Sequence, residues 1–316
     1  MAGVVTLGEA LVVLASERVG PLRHARRLQV GIAGSELNVA IGVRRLGVPS
    51  AWIGRVATDE WGELIVSTLR GEGVDTSWIC RDASRQTAIM FKERRTPDKT
   101  RVSYYREESA GSALAPIDLI PEAFHDTDWL HVTGITPALS VSAHESVIRA
   151  MEIARSEGMQ VSLDLNYRAA LWSREHAAAT LGEIVPQADI VFASPDEAEI
   201  LVGPGEPAEQ ARRIQSLGAT DVVVKLGARG AVALVEGRII DVPAAHASVV
   251  DVLGAGDAFV AGYLAQAVLG GSYEKRLSVA ATCGAIIVSG VGDWEPAPSL
   301  DEVSVLGDIS VEGVTR

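Results

Sequence analysis

Residues Asp251 to Gln266 read DVLGAGDAFVAGYLAQ, a short Gly-Ala-Gly loop that delivers Asp257 to the front of an apolar run. Ala258, Phe259, Ala261, Leu264 and Ala265 recur at helical spacing, so a helix opens at this turn. The first turn of a helix carries backbone N–H groups without intrahelical partners and the positive end of the macrodipole, and both attract anions. Small residues let a ligand approach that backbone closely. Asp257 is then either an acid that favours a helix start or a reactive carboxylate beside a bound anion.

Outward from this loop, short runs rich in β-branched residues alternate with helical patterns. VVTLG (4–8), AWIGRV (51–56), WLHVTG (129–134), QVSLDLN (160–166), DIVFAS (189–194) and DVVVKLG (221–227) read as strands. SELNVAIGVRRLG (35–47), DEWGELIVSTLRGEG (59–73), AHESVIRAMEIARSEG (143–158) and PAEQARRIQSLG (207–218) read as helices, each ending in glycine. The alternation predicts an α/β fold with a doubly wound, mostly parallel sheet flanked by helices. One stretch breaks the rhythm. Residues 86–107 hold two alternating runs about a turn at Pro97 and Asp98, an antiparallel hairpin for which residues 12–30 supply partner strands. We expect a single domain over 1–316, with lid strands inserted within about 12–30 and 86–107. The plainer alternative is a hairpin on the sheet edge.

The 316 residues carry a formal charge of −13, which argues against a sequence-independent grip on nucleic acid or an anionic membrane. The apolar N-terminal stretch lacks a basic first segment and is interrupted by Glu9, so Val4 to Gly8 reads as a buried strand rather than a signal peptide. No apolar segment is long enough to span a membrane. Cys80 and Cys283 lie far apart without metal-ligand spacing, as reduced thiols of a cytoplasmic protein would.

Two familiar phosphate motifs do not fit the loop. Phe259 stands where a dinucleotide fingerprint needs its third glycine, and no Gly-Lys pair exists for a Walker A loop. An anion-binding turn with a carboxylate beside it suits phosphoryl transfer. The N–H groups of Gly254 to Asp257 would stabilise the moving charge, and Asp257 would accept the proton of the attacking hydroxyl.

Four stretches in order, AGSELN (33–38), SPDE (194–197), KLGARG (225–230) and DVLGAGD (251–257), resemble the signatures of the ribokinase-like (phosphofructokinase-B type) carbohydrate kinases over nearly the whole chain. Three depart from the family pattern, with Ala33 for glycine, Ser194 for asparagine and Val252 for threonine. The resemblance implies Asp257 as catalytic base and Gly254, Ala255 and Gly256 as anion hole. It places Gly34 and Asn38 on sugar hydroxyls, and Ser194, Lys225, Gly227 and Gly230 around ATP. Glu197 would reach Mg²⁺ through water. Val252 removes a hydroxyl near where some relatives bind a monovalent cation, so that cofactor stays open. By residue type alone, Glu197 also reads as a first-turn helix acid, Asn38 as a helix cap and Lys225 as a solvated strand end.

SYYREESAGSAL (103–114), DLNYRAALW (164–172) and GDWEPAP (292–298) are similar to 2-keto-3-deoxygluconate kinases. Arg106 and Arg168 offer forked donors for a carboxylate and Tyr104 adds a hydroxyl. Asp293, by resemblance, would accept from a sugar hydroxyl. The arginines could instead pair with Glu107 or Asp164. Expected is an ATP-dependent kinase for the primary hydroxyl of a small sugar acid. The alternatives are a fructokinase or other ketose kinase, or a catalytically silent sugar or nucleotide sensor. An apolar face on the lid would pair two copies into a homo-oligomer.

Overall fold

A computed structural model describes residues 3–96 and 99–307. All the expected strands are present. β1 (Val4–Leu7), β4 (Ser50–Ala57), β8 (Trp129–Thr133), β9 (Gln160–Asp164), β10 (Ile190–Ala193) and β11 (Asp221–Lys225) all join one parallel array, extended at one edge by β5 (Ile79–Asp82). β12 (Ala231–Val235) and β13 (Arg238–Val242) close the other edge antiparallel, giving the order β13-β12-β11-β10-β9-β8-β1-β4-β5. The central strands are buried on both faces. On β11, Val222 and Val224 enter one core while Val223 enters the other, which is why the sequence runs Val-Val-Val rather than alternating.

The helices are α1 (Ser35–Arg45), α2 (Glu60–Gly71), α3 (Val141–Ser156), α4 (Arg174–Ile184), α5 (Pro195–Val202), α6 (Pro207–Ser216), α7 (Ala255–Val268), α8 (Tyr273–Ile287) and α9 (Leu300–Gly307). Their N-termini follow local chemistry. Asp59, Ser140, Ser173, Ser194 and Ser272 each accept a hydrogen bond from a backbone N–H of the helix they start. Ala143, Val147 and Met151 of α3 and Ala211 and Ile214 of α6 line the core that covers one face of the sheet. Val39 and Val43 of α1 join α7 and α8 in the core on the other face.

The segment that broke the rhythm forms a second, four-stranded sheet. Its order is β3-β2-β6-β7, from β2 (Leu11–Ser16), β3 (Leu28–Ala33), β6 (Ala88–Thr96) and β7 (Lys99–Tyr105). β6 and β7 pair antiparallel as expected, and the turn placed at Pro97 and Asp98 lies outside the described residues. Ala88, Met90 and Lys92 turn inward along β6, and Ala88 and Met90 pack with Leu11, Val13 and Ala33.

The antiparallel edge of β12 and β13 was not expected. Its signal was present: Glu236 and Gly237 both take positive φ (49° and 72°), the pairing a two-residue hairpin turn of primed type demands. In the large sheet the chain leaves β1 for β4 on one side and returns through β8 on the other. That reversal opens a crevice at the carboxyl ends of β1 and β8, where ligands of such sheets bind.

Candidate active site

Asp257 lies in the first turn of α7, and α1 holds its carboxylate from the side. Ser35 Oγ donates to Oδ1 at 2.6 Å and Asn38 Nδ2 donates to Oδ2 at 2.7 Å. Asn166, just past β9, donates to Ser35 Oγ at 2.7 Å and so fixes the hydroxyl that fixes the carboxylate. Burial pushes the Asp257 carboxyl up to about 6, against the pull of these hydrogen bonds; Asp164 adds to the rise and Arg168 opposes it. A carboxylate so placed is ionised at neutral pH yet basic enough to take a proton.

The loop before it is built to expose backbone. Gly254 is the N-cap of α7 at φ 74°, and no side chain caps the helix. A Cβ at Gly254 would overlap the carbonyl oxygen of Asp293, so only glycine lets the loop run this close to residue 293. The first-turn N–H groups of Ala255 to Asp257 therefore point outward from an uncapped positive helix end.

Beneath this loop Lys225, at the end of β11, forms an ion pair with Asp164 at the end of β9. Its ammonium is also the nearest side-chain atom to Gly256, 3.3 Å from where a Cβ would stand. Burial works against its charge, but Asp164 and Glu197 outweigh that and raise its pKa. Ser194 and Glu197 form a capping box at the start of α5: Glu197 Oε2 accepts from Ser194 N at 2.7 Å, while Oε1 accepts from Tyr167 N at 3.0 Å. Each of these oxygens keeps a further lone pair. Gly227 has φ 58° and open space around it, whereas a Cβ at Gly230 would strike Val242 across the β12–β13 edge.

The residues expected on the sugar divide into two groups. Arg168 is exposed, its guanidinium has no hydrogen bond or ion pair among the described residues, and its charge reaches Asp257. Tyr104 is partly exposed on β7, with the Arg106 guanidinium 5.0 Å over its ring. Arg106, by contrast, is half-buried in an ion pair, and its partner is neither Glu107 nor Asp164 but Glu9, just past β1. Asp293 accepts from Lys92 Nζ at 2.8 Å. Gly34 packs on the backbone of Glu9 and Ala10, where a Cβ would collide. Asn38 turns out to serve Asp257 directly.

Sequence reasoning missed Ser35, Asn166, Asp164, Glu9, Glu36 and Lys92. Ser35 and Glu36 stand inside the quoted AGSELN, and Asp164 and Asn166 inside DLN, so the motifs were visible and the pairings were not. Glu36 Oε1 accepts from Thr133 and Thr136 at 2.7 Å, and burial lifts its carboxyl to about 7. His131 lies under the same crevice, held neutral by burial and by the charge of Lys225, with a pKa lowered to about 3.

Residues 1–300 match the family model described as pfkB family carbohydrate kinase. The chain belongs to this family. A 2-dehydro-3-deoxygluconokinase of Thermoproteus tenax is 38% identical over 311 residues, covering 97% of this chain and 94% of that protein. Among solved structures, a PfkB protein from Polaromonas sp. JS666 is 33% identical, with a TM-score of 0.87 over 96% of this chain and 99% of the other. A double-mutant fructokinase from Vibrio cholerae, crystallised in a fructose, ADP and potassium bound form, is 26% identical with a TM-score of 0.86 over 97% and 98%. The two sheets and their helices are thus the ribokinase-like fold, and the protein is a carbohydrate kinase.

Proposed function

We propose that the chain transfers the γ-phosphoryl group of ATP to the primary hydroxyl of a small sugar acid, 2-keto-3-deoxygluconate. The observation that carries the reading is the Asp257 carboxylate, half-buried and held by Ser35 and Asn38 within the uncapped first turn of α7. Asp257 takes the hydroxyl proton as the sugar oxygen bonds to the γ-phosphorus. The bond from that phosphorus to the bridging oxygen breaks, and ADP leaves. The N–H groups of Gly254 to Asp257 and the nearby Lys225 ammonium stabilise the charge on the phosphoryl oxygens.

No cluster of three or more His, Cys, Asp or Glu side chains able to hold a metal occurs among the described residues. This suits Mg²⁺, which keeps its waters and is held largely by substrate phosphates. Asp164 Oδ1, buried without a hydrogen-bond partner among the described residues, and Glu197 are the carboxylates that would reach it through water. When bound, the ion neutralises phosphate charge.

Two arguments support an acid as substrate: the similarity to a kinase named for 2-dehydro-3-deoxygluconate, and the guanidinium of Arg168 near Asp257, without an ion-pair partner among the described residues. A neutral ketose is the second reading, favoured by the neutralisation of Arg106 by Glu9, which leaves one fewer cation for a carboxylate. The small sheet acts in this account as a lid that excludes water from the phosphoryl group. Its exposed Val30 and Tyr105 suit pairing with a second copy. No helix among the described residues is long and apolar enough to cross a membrane, in keeping with a cytoplasmic enzyme. The test is ADP release from ATP and Mg²⁺ with 2-keto-3-deoxygluconate, gluconate, fructose and ribose. The acid should give the highest kcat/KM, and a preference for fructose would transfer the assignment to the ketose reading.

A further inference from the structure

Lys92 occupies an apolar position by strand alternation, following Ala88 and Met90 on the inward face of β6, yet it carries a charge there. It exposes only 8% of its surface. Its ammonium lies between two carboxylates from distant parts of the chain, 2.8 Å from Asp293 Oδ1 and 3.3 Å from Asp251 Oδ2. Burial works against the charge, but Asp293 and Asp251 more than restore it, so the group stays an ammonium. Asp251 opens the loop that ends at Asp257, and its other oxygen accepts from Leu253 N at 3.2 Å, one residue before the N-cap of α7. Both ends of this contact touch the same place, since Gly254 packs on the carbonyl of Asp293 and the N–H groups of Val250 and Asp251 bond Val288 O. A single positive charge therefore ties the small sheet, the 288–293 turn and the anion-binding loop together.

A fructokinase that resembles this chain is in a potassium bound form, which raises the question of whether this chain takes a monovalent cation. A monovalent cation does not fit between Asp251 and Asp293, because the Lys92 ammonium already stands between those carboxylates. We infer that Lys92 is a built-in cation: it positions the Asp251–Gly256 loop for phosphoryl transfer, so that this enzyme works without a dissociable monovalent ion. Lys92 is a positioning residue and acts through Asp251, with Asp257 doing the chemistry. The inference rests on the phosphoryl-transfer reading of Asp257 but on no particular sugar.

The experiment compares wild type and Lys92→Met, which keeps the stem and removes the charge. ADP release on the best sugar of the panel is measured while potassium chloride replaces an equal ionic strength of N-methylglucammonium chloride. Wild-type kcat should not respond to the exchange. Without potassium the variant should lose about ten- to a hundredfold in kcat, the value of one charge-assisted hydrogen bond, with KM for the sugar nearly unchanged. Potassium should restore most of that loss, and lithium should not. Wild-type activation by potassium overturns the inference, as does a folded variant whose kcat and thermal melting both ignore potassium. If Lys92→Met fails to fold in either salt, the wild-type titration decides alone. Failure of every sugar to release ADP would instead sink the kinase reading, so the two failures are told apart.

Discussion

By position Asp257 is an ordinary helix-start acid, and the role of base proposed for it rests on what surrounds its two oxygens. With its carboxyl raised to about 6, the form that accepts a proton is lost as pH falls through that value. The rate profile should follow: log kcat/KM flat from neutral pH down to about 6, then falling toward one decade per pH unit. A profile flat to well below 5 would mean that no group with this raised pKa acts as base. In the proposed function Arg168 is the residue that would decide substrate choice. Arg168→Ala should cost roughly ten- to a hundredfold in kcat/KM with the sugar acid, the worth of one charged hydrogen bond of about 1.5–3 kcal/mol. It should cost less with fructose, and equal losses on both sugars would favour the ketose reading. At this scale the sequence was legible only where chemistry is local. DVLGAGD announces a base beside a helix start, whereas nothing in AGSELN announces that Ser35 and Asn38 reach a residue 222 and 219 positions away. Arg106 shows the same limit, since its partner Glu9 lies 97 residues upstream and shares no pattern with it.

The elements were legible because each carries its own physical signature. β11 reads as a strand because both its faces are buried, and α2 reads as a helix because Asp59 caps it and Gly73, at φ 76°, ends it. α8 escaped because its alanine-rich sequence shows no clear apolar stripe, and the β12–β13 edge escaped because its turn signal was not weighed. Gly254→Ala puts a side chain at φ 74° against the Asp293 carbonyl. Left-handed backbone alone costs a non-glycine residue about 1–2 kcal/mol, the overlap with the carbonyl adds to it, and a chain of this size loses about 1.5 °C of Tm per kcal/mol. Thermal denaturation should show a drop of several degrees together with a collapse of kcat, and an unchanged Tm would mean the loop is looser than described. Glu197→Gln keeps the shape of the capping box but removes the charge, so the Mg²⁺ concentration for half activity should rise. An unchanged Mg²⁺ titration would leave Glu197 as a helix cap and nothing more.

At the scale of the whole molecule, the small sheet leaves Val30 half exposed and Tyr105 68% exposed on the side away from its own core. If two copies pair through these faces, sedimentation should give twice the 33.3 kDa chain mass, and Val30→Asp with Tyr105→Glu should return it to one. A wild-type monomer would refute the pairing. The chain reversal between β4 and β8 creates the crevice, and into it the fold brings α1 from near the N-terminus and α7 from near the C-terminus. The doubly wound order could be read from the alternation of strand and helix, but that meeting of α1 and α7 on one carboxylate could not. The decisive measurement is kcat for purified Asp257→Asn with saturating 2-keto-3-deoxygluconate, ATP and Mg²⁺, alongside its circular dichroism and its affinity for the sugar acid. Loss of a positioned base predicts a fall of at least about 10²-fold with fold and affinity kept. A folded variant turning over at near the wild-type rate would contradict the assignment of Asp257 as the base.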